Sequence, residues 1–172
     1  MNRFLIPTRD GEFTAAFSEL GLARIEFPKR KPAADECFGA PRSVESRQVE
    51  VWFRRTIEVI HCVLEGKAAG PLPPLDLRSG TPFQQQVWNV LLRIPLGHTM
   101  TYGEVAESVG RPRGSQAVGQ ACGANPIPLI IPCHRVLAGG NQLGGFSGGL
   151  DWKRKLLERE KAWFSTQTEF KL

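Results

Sequence analysis

The sequence predicts a protein in two parts: a mixed α/β domain over residues 1–75 and a mostly α-helical domain over residues 83–172, with a linker over residues 76–82. Prolines and glycines crowd together between Glu65 and Pro82, and such a stretch sustains neither a helix nor a central strand. A strand-like alternation of apolar residues lies before this stretch, whereas apolar residues at helical spacing dominate after it. The change of pattern across a proline-rich seam therefore indicates the two parts.

The composition is that of a globular protein. With 172 residues, 41% hydrophobic and 23% charged, the chain has enough apolar residues for a core, which excludes wholesale disorder. No apolar run approaches the roughly 20 residues that span a bilayer, and the first residues lack the apolar region of a secretory signal. We therefore expect a cytoplasmic protein with no membrane partner. The net charge of +5 is compatible with a polyanionic partner without requiring one.

The cysteines and histidines form no recognisable framework. No two of the four cysteines stand as Cys-x-x-Cys, and the three histidines are far apart in the sequence. Neither a disulfide framework nor a metal site is therefore predicted. The cysteines are Cys37, Cys62, Cys122 and Cys133. Cys122 is predicted to be a small buried side chain.

Three elements are predicted before the seam. Asp10-Gly11 between apolar residues indicates a hairpin turn. Residues 23–27 alternate between apolar and charged, which is typical of a half-buried strand. Apolar residues then recur at helical spacing from Val49 to Leu64, and Gly66 is placed to end that helix.

After the seam, capping residues mark where helices begin. Thr81-Pro82-Phe83-Gln84 and Thr101-Tyr102-Gly103-Glu104 both have the pattern of a capping box. A glycine-containing turn over residues 110–114 leads into a helix over residues 115–123, so the two helices around the turn suggest a helix-turn-helix. Asp151 is predicted to cap the last helix.

The helix over residues 115–123 consists mostly of small residues. Small residues let a backbone approach another surface closely, but they offer few side chains long enough to read the major groove. Tight packing against another helix would explain the same composition.

The segment from Asn125 to Val136 is the most informative in the chain. Three prolines fix an apolar run that ends in Cys133, His134 and Arg135. The neighbouring positive charges favour the thiolate, although many cysteines are inert structural thiols. Adjacent residues do not share a face of a helix or strand, so a contact between Cys133 and His134 needs a water or a sharply bent backbone. Two carboxylates of the last helix are candidates to orient the imidazole: Glu158 and Glu160.

These motifs give the chain a family resemblance. Asn125-Pro126, Pro132-Cys133-His134-Arg135-Val136, Ser147-Gly148-Gly149 and a helix with Leu156-Leu157 before Glu160 resemble the O6-alkylguanine-DNA alkyltransferases, the methylated-DNA–protein-cysteine methyltransferases. The resemblance runs without gaps from about Gly97 to Glu160, extends back through Thr81, and is much weaker in residues 1–75. It implies a ribonuclease-H-like N-terminal domain, no cofactor and a monomer.

The resemblance implies roles for five side chains. Cys133 would attack the alkyl carbon on guanine O6, with O4-alkylthymine as a second substrate. His134 would act as its base through a water, and Glu160 would orient the imidazole. Asn125 would brace the turn that holds the thiol, and the phenol of Tyr102 would protonate the leaving guanine. Because the product is a thioether, the protein would be consumed once per lesion.

The resemblance also implies a substrate pocket and a DNA surface. The stem of Lys153 and the Ser147 loop would close over the base, with Phe146 in the wall and the backbone of Val136 reading the amino edge of guanine. Double-stranded DNA would bind through its minor groove, and the damaged nucleotide would be rotated out of the stack. The implied DNA-binding residues are Arg113, Ser115, Gln116, Ala117, Gly119 and Arg135.

Two positions depart from the family pattern. Gln116 stands where the family usually has the arginine that fills the vacated stack, and Phe146 stands where it often has tyrosine. A shorter, uncharged side chain is expected to weaken flipping or retention of the lesion. Phosphate contacts from Arg111 or Arg113 would compensate for it.

Two alternatives compete with alkyl transfer. Residues 145–149 fit the G-x-S-x-G pattern of serine hydrolases, but that chemistry needs a histidine later in the chain, and all three histidines precede Ser147. The second is a non-catalytic DNA-binding protein, either a lesion sensor or a helix-turn-helix regulator. Sensors resembling this family lack the nucleophilic cysteine, whereas Cys133 is present, and a regulator would need longer polar side chains on residues 115–123.

Overall fold

The computed structural model describes residues 2–28 and 47–162, so Cys37 and the last ten residues of the predicted helical domain lie outside the described chain. Strands and helices are both present, which confirms the predicted mixed content. The strands are β1 (Asn2–Thr8), β2 (Gly11–Phe17), β3 (Leu22–Glu26), β4 (Met100–Thr101) and β5 (Val136–Leu137). The α-helices are α1 (Arg47–Leu64), α2 (Pro82–Leu91), α3 (Tyr102–Ser108), α4 (Ser115–Gly123) and α5 (Leu150–Arg159).

The first three strands form an antiparallel sheet in the order β1-β2-β3. The hairpin between β1 and β2 closes where Thr8 pairs with Gly11, which confirms the predicted turn at Asp10-Gly11. The hydroxyl of Thr8 fixes this turn, because it accepts from the Asp10 backbone N–H and donates to the Gly11 carbonyl. The predicted strand over residues 23–27 is β3, with Ile25 buried and Arg24 exposed.

Helix α1 places its apolar face on this sheet. Its last residue is Leu64, and Gly66 follows with φ +67°, so the predicted end of the helix is confirmed. Phe53 of the helix lies 4.9 Å from Phe4 and 6.3 Å from Phe17, measured between ring centroids. Tilted and edge-on aromatic pairs of this kind stabilise the sheet–helix contact.

The stretch predicted to be a linker is anchored to the sheet at its start. Leu75 bridges Leu22 in a parallel sense, and the Asp76 N–H donates to the Leu22 carbonyl. The Asp76 carboxylate is buried and accepts from the Ser18 hydroxyl and the Arg78 guanidinium. Buried apolar side chains run from β1 to α5 in one continuous cluster. The domain boundaries at residues 75 and 83 stay predictions.

Both predicted capping boxes are present. Thr81 and Gln84 exchange side-chain to backbone hydrogen bonds at the start of α2, and Thr101 and Glu104 do the same at the start of α3. Helix α2 ends at Leu91, so Ile94 lies beyond the helix, although it is apolar and buried.

Helices α3 and α4 flank the predicted turn, and α2 packs against both. The indole N–H of Trp88, on α2, donates to the Ala121 carbonyl on α4 at 2.8 Å. Cys122 is buried, as predicted, and Val118 and Ala121 also face the core. The opposite side of α4 is open to solvent at Gln116 and Gln120.

Two details of the second half differ from the sequence prediction. Strands β4 and β5 form a short parallel pair, with Met100 opposite Val136. The sequence does not predict this pair, because a strand of two residues is too short to show an alternation of apolar and polar residues. Asp151 is not the N-cap of α5. Gly149, which has no side chain to cap the helix, takes that position, and Asp151 lies exposed within the first turn. A carboxylate in the first turn still stabilises the helix, because it interacts favourably with the positive end of the helix dipole.

Within residues 2–28 and 47–162, no helix combines the length and apolarity needed to cross a bilayer. The same residues contain no group of three or more metal-binding side chains.

Candidate active site

A short 3-10 helix (Cys133–Arg135) carries the candidate nucleophile and base. The run before it turns sharply: Pro128 bridges Ile131, and Leu129 between them has φ +74°. A leucine in the left-handed region is strained, so the turn must be held from outside. Asn125 holds it, because its side-chain amide donates to the Ile131 carbonyl and its oxygen accepts from the Ile127 N–H, both at 2.9 Å.

The same asparagine reaches the thiol. Nδ2 of Asn125 lies 3.0 Å from Sγ of Cys133, and the cysteine is only 2% exposed. Burial raises the pKa of the Cys133 thiol to about 11, and the Asn125 hydrogen bond opposes that rise. The resting thiol is therefore protonated at neutral pH, and a base is needed to activate it.

His134 is fully buried beside the thiol and is fixed in one orientation. Its Nε2 lies 2.9 Å from Oε1 of Glu160. Burial lowers the pKa of His134 despite the carboxylate, so the ring is neutral at pH 7. A neutral ring that donates from Nε2 to a carboxylate keeps a lone pair on Nδ1. That Nδ1 is buried and has no hydrogen-bond partner among residues 2–28 and 47–162, which leaves it available to accept a proton.

Glu160, at the end of α5, is the carboxylate that orients the imidazole, whereas Glu158 is exposed. Burial alone would raise the pKa of Glu160, but hydrogen bonds from His134 and Arg135 outweigh it and lower the pKa to about 2. Arg135 donates to both carboxylate oxygens, at 2.9 and 3.0 Å, and to the Ile94 carbonyl at 2.6 Å. Bidentate pairing of this kind fixes the plane of the carboxylate.

Tyr102 approaches the site from the start of α3, where the β4–β5 pair holds it beside the segment after His134. Its hydroxyl donates to the Gly145 carbonyl at 3.3 Å. Burial raises the pKa of Tyr102 to about 12, so the phenol keeps its proton at neutral pH. Gly144 packs so closely on the ring that a Cβ there would lie 2.8 Å from Cε2, and its φ is +64°. Glycine at this position lets the loop rest on the phenol.

Lys153, on α5, is fully buried between Val136, which follows the 3-10 helix, and Gly145 of the loop before α5. Its ammonium donates to the Val136 carbonyl at 2.6 Å and to the Gly145 carbonyl at 3.2 Å. Burial lowers the pKa of Lys153 to about 8. The side chain therefore ties the glycine-rich loop, residues 144–149, to the segment that follows the 3-10 helix.

The loop residue Phe146 belongs to an aromatic cluster. Its ring lies 5.6 Å from that of Phe27, which follows β3, and 6.4 Å from the imidazole of His134. Phe27 in turn contacts Trp152 of α5 at 5.1 Å. Ser147, the next residue of the loop, is exposed.

The predicted DNA-contacting residues of α4 lie on one accessible side of the helix. Ser115 and Gln116 are exposed, and Ala117 and Gly119 are half-buried. In the preceding turn Arg113 is exposed, whereas the guanidinium of Arg111 stacks over the Phe83 ring at 4.8 Å.

The side chains of Asn125 and Cys133 are thus in contact, as are those of His134 and Glu160. Tyr102 and His134 both lie against the glycine-rich loop. Arg135 is placed differently: its guanidinium is committed to Glu160 and Ile94, and its side chain is 11% exposed. The anchoring role of the Lys153 ammonium has no signal in the sequence, because its acceptors are backbone carbonyls 17 and 8 residues away.

Known proteins are similar to this chain in sequence and in fold. Residues 82–162 match the family described as 6-O-methylguanine DNA methyltransferase, DNA binding domain. The chain is 41% identical over 154 residues to a methylated-DNA–protein-cysteine methyltransferase of Methanosarcina acetivorans, with 87% of this chain and 92% of the relative covered. It is 54% identical over 110 residues to the Mycobacterium tuberculosis protein of the same name, with 64% of this chain and 66% of the relative covered.

The fold is shared over nearly the whole chain. The crystal structure of Mycobacterium tuberculosis OGT in complex with DNA superposes with a TM-score of 0.75 at 35% identity, covering 94% of this chain and 93% of the other. An O6-methylguanine DNA methyltransferase from Methanococcus jannaschii superposes with a TM-score of 0.64 at 27% identity, covering 92% and 93%.

Proposed function

We infer the function of this protein from its family, because the chain belongs to the methylated-DNA–protein-cysteine methyltransferases. We propose that it repairs DNA by moving the alkyl group of O6-alkylguanine, and of O4-alkylthymine, directly and irreversibly onto Cys133. The observation that carries the proposal is the buried arrangement of Asn125, Cys133, His134 and Glu160, in which a thiol adjoins a neutral imidazole already oriented by a carboxylate.

The transfer is a displacement at the alkyl carbon. The thiol proton of Cys133 passes through a water to Nδ1 of His134, and Glu160 stabilises the imidazolium that forms. Sulfur then donates an electron pair to the alkyl carbon, a carbon–sulfur bond forms, and the bond from that carbon to O6 breaks. The electron pair of the broken bond stays on the guanine. Asn125 stabilises the developing thiolate with its amide hydrogen.

The departing guanine needs a proton, and Tyr102 supplies it. Its hydroxyl lies at the edge of the glycine-rich loop and remains protonated at neutral pH because burial raises its pKa to about 12. Return of the proton from His134 to the phenolate completes the balance. The products are an S-alkylcysteine and ordinary guanine, so each protein molecule acts once.

The glycine-rich loop supplies the pocket for the flipped base. Lys153 keeps the loop close to Val136, whose backbone reads the amino edge of the guanine, while the Ser147 hydroxyl faces O6. Phe146, wedged between Phe27 and the imidazole, forms the wall. The methylene stem of Lys153 covers one face of the base.

Helix α4 is the DNA-contacting element, in a helix-turn-helix with α3. Its small residues allow a close approach to the minor groove, with Ser115, Gln116, Ala117 and Gly119 on the contacting side and Arg113 near the phosphates. The bonds of Arg135 to Glu160 and Ile94 favour a positioning role for this residue over the predicted DNA contact. The protein would act as a cytoplasmic monomer, and its N-terminal sheet with α1 would be a ribonuclease-H-like unit.

The test is the intact mass of the protein after mixing with a duplex that holds one O6-methylguanine. We expect one added methyl group, mapped to the Cys133 peptide and saturating at one equivalent. The matched control is Cys133→Ser, which is expected to gain no mass but to keep its fold. An unmodified wild-type protein would overturn the transferase proposal.

A lesion sensor is the second candidate, and Gln116 is the observation that favours it. This exposed, uncharged side chain occupies the place where the family usually has arginine. Tight binding to the lesion duplex with no mass change would establish the sensor and exclude the transferase.

A further inference from the structure

The turn between β1 and β2 meets the ends of two helices on the side of the protein that carries α5. Asp10, in this turn, is only 6% exposed at its side chain, although it lies at a hairpin tip. Its carboxylate accepts from Lys155 Nζ at 2.6 Å, and from Arg159 at 2.6 and 3.0 Å. The contact joins residues 149 positions apart in the chain.

Arg159 also fixes the end of α1. Its Nη1 donates to the Leu64 carbonyl at 2.7 Å, and Arg9 donates to the same carbonyl at 3.3 Å. Gly66 packs directly on the Arg159 backbone, where a Cβ would overlap the Arg159 carbonyl. The hairpin turn, the end of α1 and the end of α5 are therefore locked together at Arg159.

The residue after Arg159 is Glu160, the carboxylate that orients His134. It is the C-cap of α5, and its backbone is tied to the helix by a hydrogen bond to the Leu156 carbonyl. The 2.9 Å contact between Glu160 and His134 tolerates little movement of this helix end, because hydrogen bonds weaken steeply with misalignment. Whatever fixes the end of α5 therefore also fixes the imidazole.

We propose that Asp10 is a positioning residue for alkyl transfer, holding the end of α5 through Lys155 and Arg159 so that Glu160 keeps His134 oriented. This inference rests on the proposed function and assigns the N-terminal hairpin a part in the chemistry. Three charged groups bear on the imidazole: Glu160, Arg135 and Lys153. Arg159, the residue next to Glu160, is paired with Asp10 instead.

Two readouts test the proposal in the full chain. The first is the single-turnover rate of methyl transfer from an O6-methylguanine duplex. The second is the tautomer of His134, read from the ¹⁵N shifts of the ring nitrogens and assigned with His134→Gln. The wild-type ring is expected to be a single Nε2–H tautomer. Asp10→Asn is expected to mix the tautomers and to slow transfer about tenfold, because small displacements of reacting groups have large effects on rate.

Asp76→Asn is the matched control. Asp76 is a buried carboxylate of the same half of the chain, paired with Arg78 instead of α5. Neighbouring arginines hold the pKa of Asp10 and of Asp76 well below the usual range, so both substitutions remove a stabilising charge. Asp76→Asn is expected to lower the melting temperature without changing the tautomer or the rate. Asp10→Glu, which keeps the charge, should restore most of the rate.

If Asp10→Asn does not fold, Arg159→Lys replaces it, because lysine keeps the charge but loses the paired contact to Asp10 and Leu64. A wild-type tautomer and rate in the folded variant would overturn the proposal, whatever its melting temperature. If the wild-type protein transfers no methyl group, the proposed function fails. The tautomer comparison still decides whether Asp10 positions His134.

Discussion

At the residue scale, the site depends on which neighbours each polar atom has. The sequence places Cys133 beside His134 but cannot say how they cooperate, because adjacent residues share a face only in a bent backbone. The 3-10 helix supplies that bend, and the side-chain hydrogen bonds of Asn125 hold the turn before it. The residue pattern alone likewise leaves the choice between Glu158 and Glu160 open, since both carboxylates lie at the C-terminal end of α5, although the family resemblance selects Glu160. It is decided by Arg135 and His134, which lie 25 and 26 residues away from Glu160.

The buried carboxylate predicts a pH dependence of stability. The pKa of Glu160 is lowered from an ordinary 4.5 to about 2, so its contribution is fully present above pH 4.5 and is lost as the pH falls toward 2. Glu160→Gln should therefore lower the free energy of unfolding at pH 7. The difference from wild type should shrink between pH 4.5 and the lowest pH that the folded protein tolerates.

Urea unfolding at pH 7 and at pH 3 measures this difference. Glu158→Gln, on the exposed side of the same helix, is the control and should match the wild type at both pH values. An equal loss for Glu160→Gln at pH 7 and pH 3 would contradict the ionic role.

At the element scale, the helices were predictable because their signals are local. The capping boxes at Thr81 and Thr101 and the glycine after α1 lie within four residues of the ends that they define. The β4–β5 pair was not predictable, because two-residue strands have no periodicity and their partners are 36 residues apart. That pair nevertheless places Tyr102 beside the active-site loop. The position of this predicted site residue therefore depends on strands that the sequence does not predict.

Helix α4 carries a prediction on DNA affinity. Gln116 is exposed on its contacting side, so Gln116→Arg adds a cation without removing a core contact. We expect tighter binding to double-stranded DNA, with the slope of log K against log salt steeper by about 0.9, because one more phosphate is neutralised. Fluorescence anisotropy at salt concentrations from about 50 to about 200 mM measures the dependence of log K on log salt.

Gln48→Arg is the charge-matched control, since Gln48 is also exposed but lies on α1, and it is expected to keep the wild-type slope. Equal salt slopes for wild type and Gln116→Arg would place Gln116 outside the DNA surface.

At the scale of the whole molecule, both halves of the chain contribute to one structure around α5. Aromatic rings from β2 and from the residue after β3 pack on Trp152, and the hairpin turn binds Lys155 and Arg159. None of these contacts has a sequence signal, because each joins residues more than 100 positions apart. The sequence predicts the elements on either side of the seam, but only the tertiary structure shows how they are joined.

The junction at Arg159 predicts a difference between two glycines of the seam. Gly66 has φ +67° and no room for a Cβ against the Arg159 carbonyl, whereas Gly70 has open space around it. Gly66→Ala should therefore destabilise the protein by more than about 2 kcal/mol, and Gly70→Ala should change its stability by less than about 0.5 kcal/mol. Thermal unfolding of the two variants compares them directly. Similar melting temperatures would show that the α1–α5 contact adds little.

A thiol that is consumed by its first reaction must survive every chemical encounter before the right one. Peroxides and small electrophiles modify thiolates that solvent can reach. Cys133 is neither exposed nor ionised at rest, since it is 2% accessible and burial raises its pKa. Burial and protonation of the thiol therefore limit accidental oxidation of unused protein. We therefore expect the packing around the 3-10 turn to determine how long unused protein stays competent for repair.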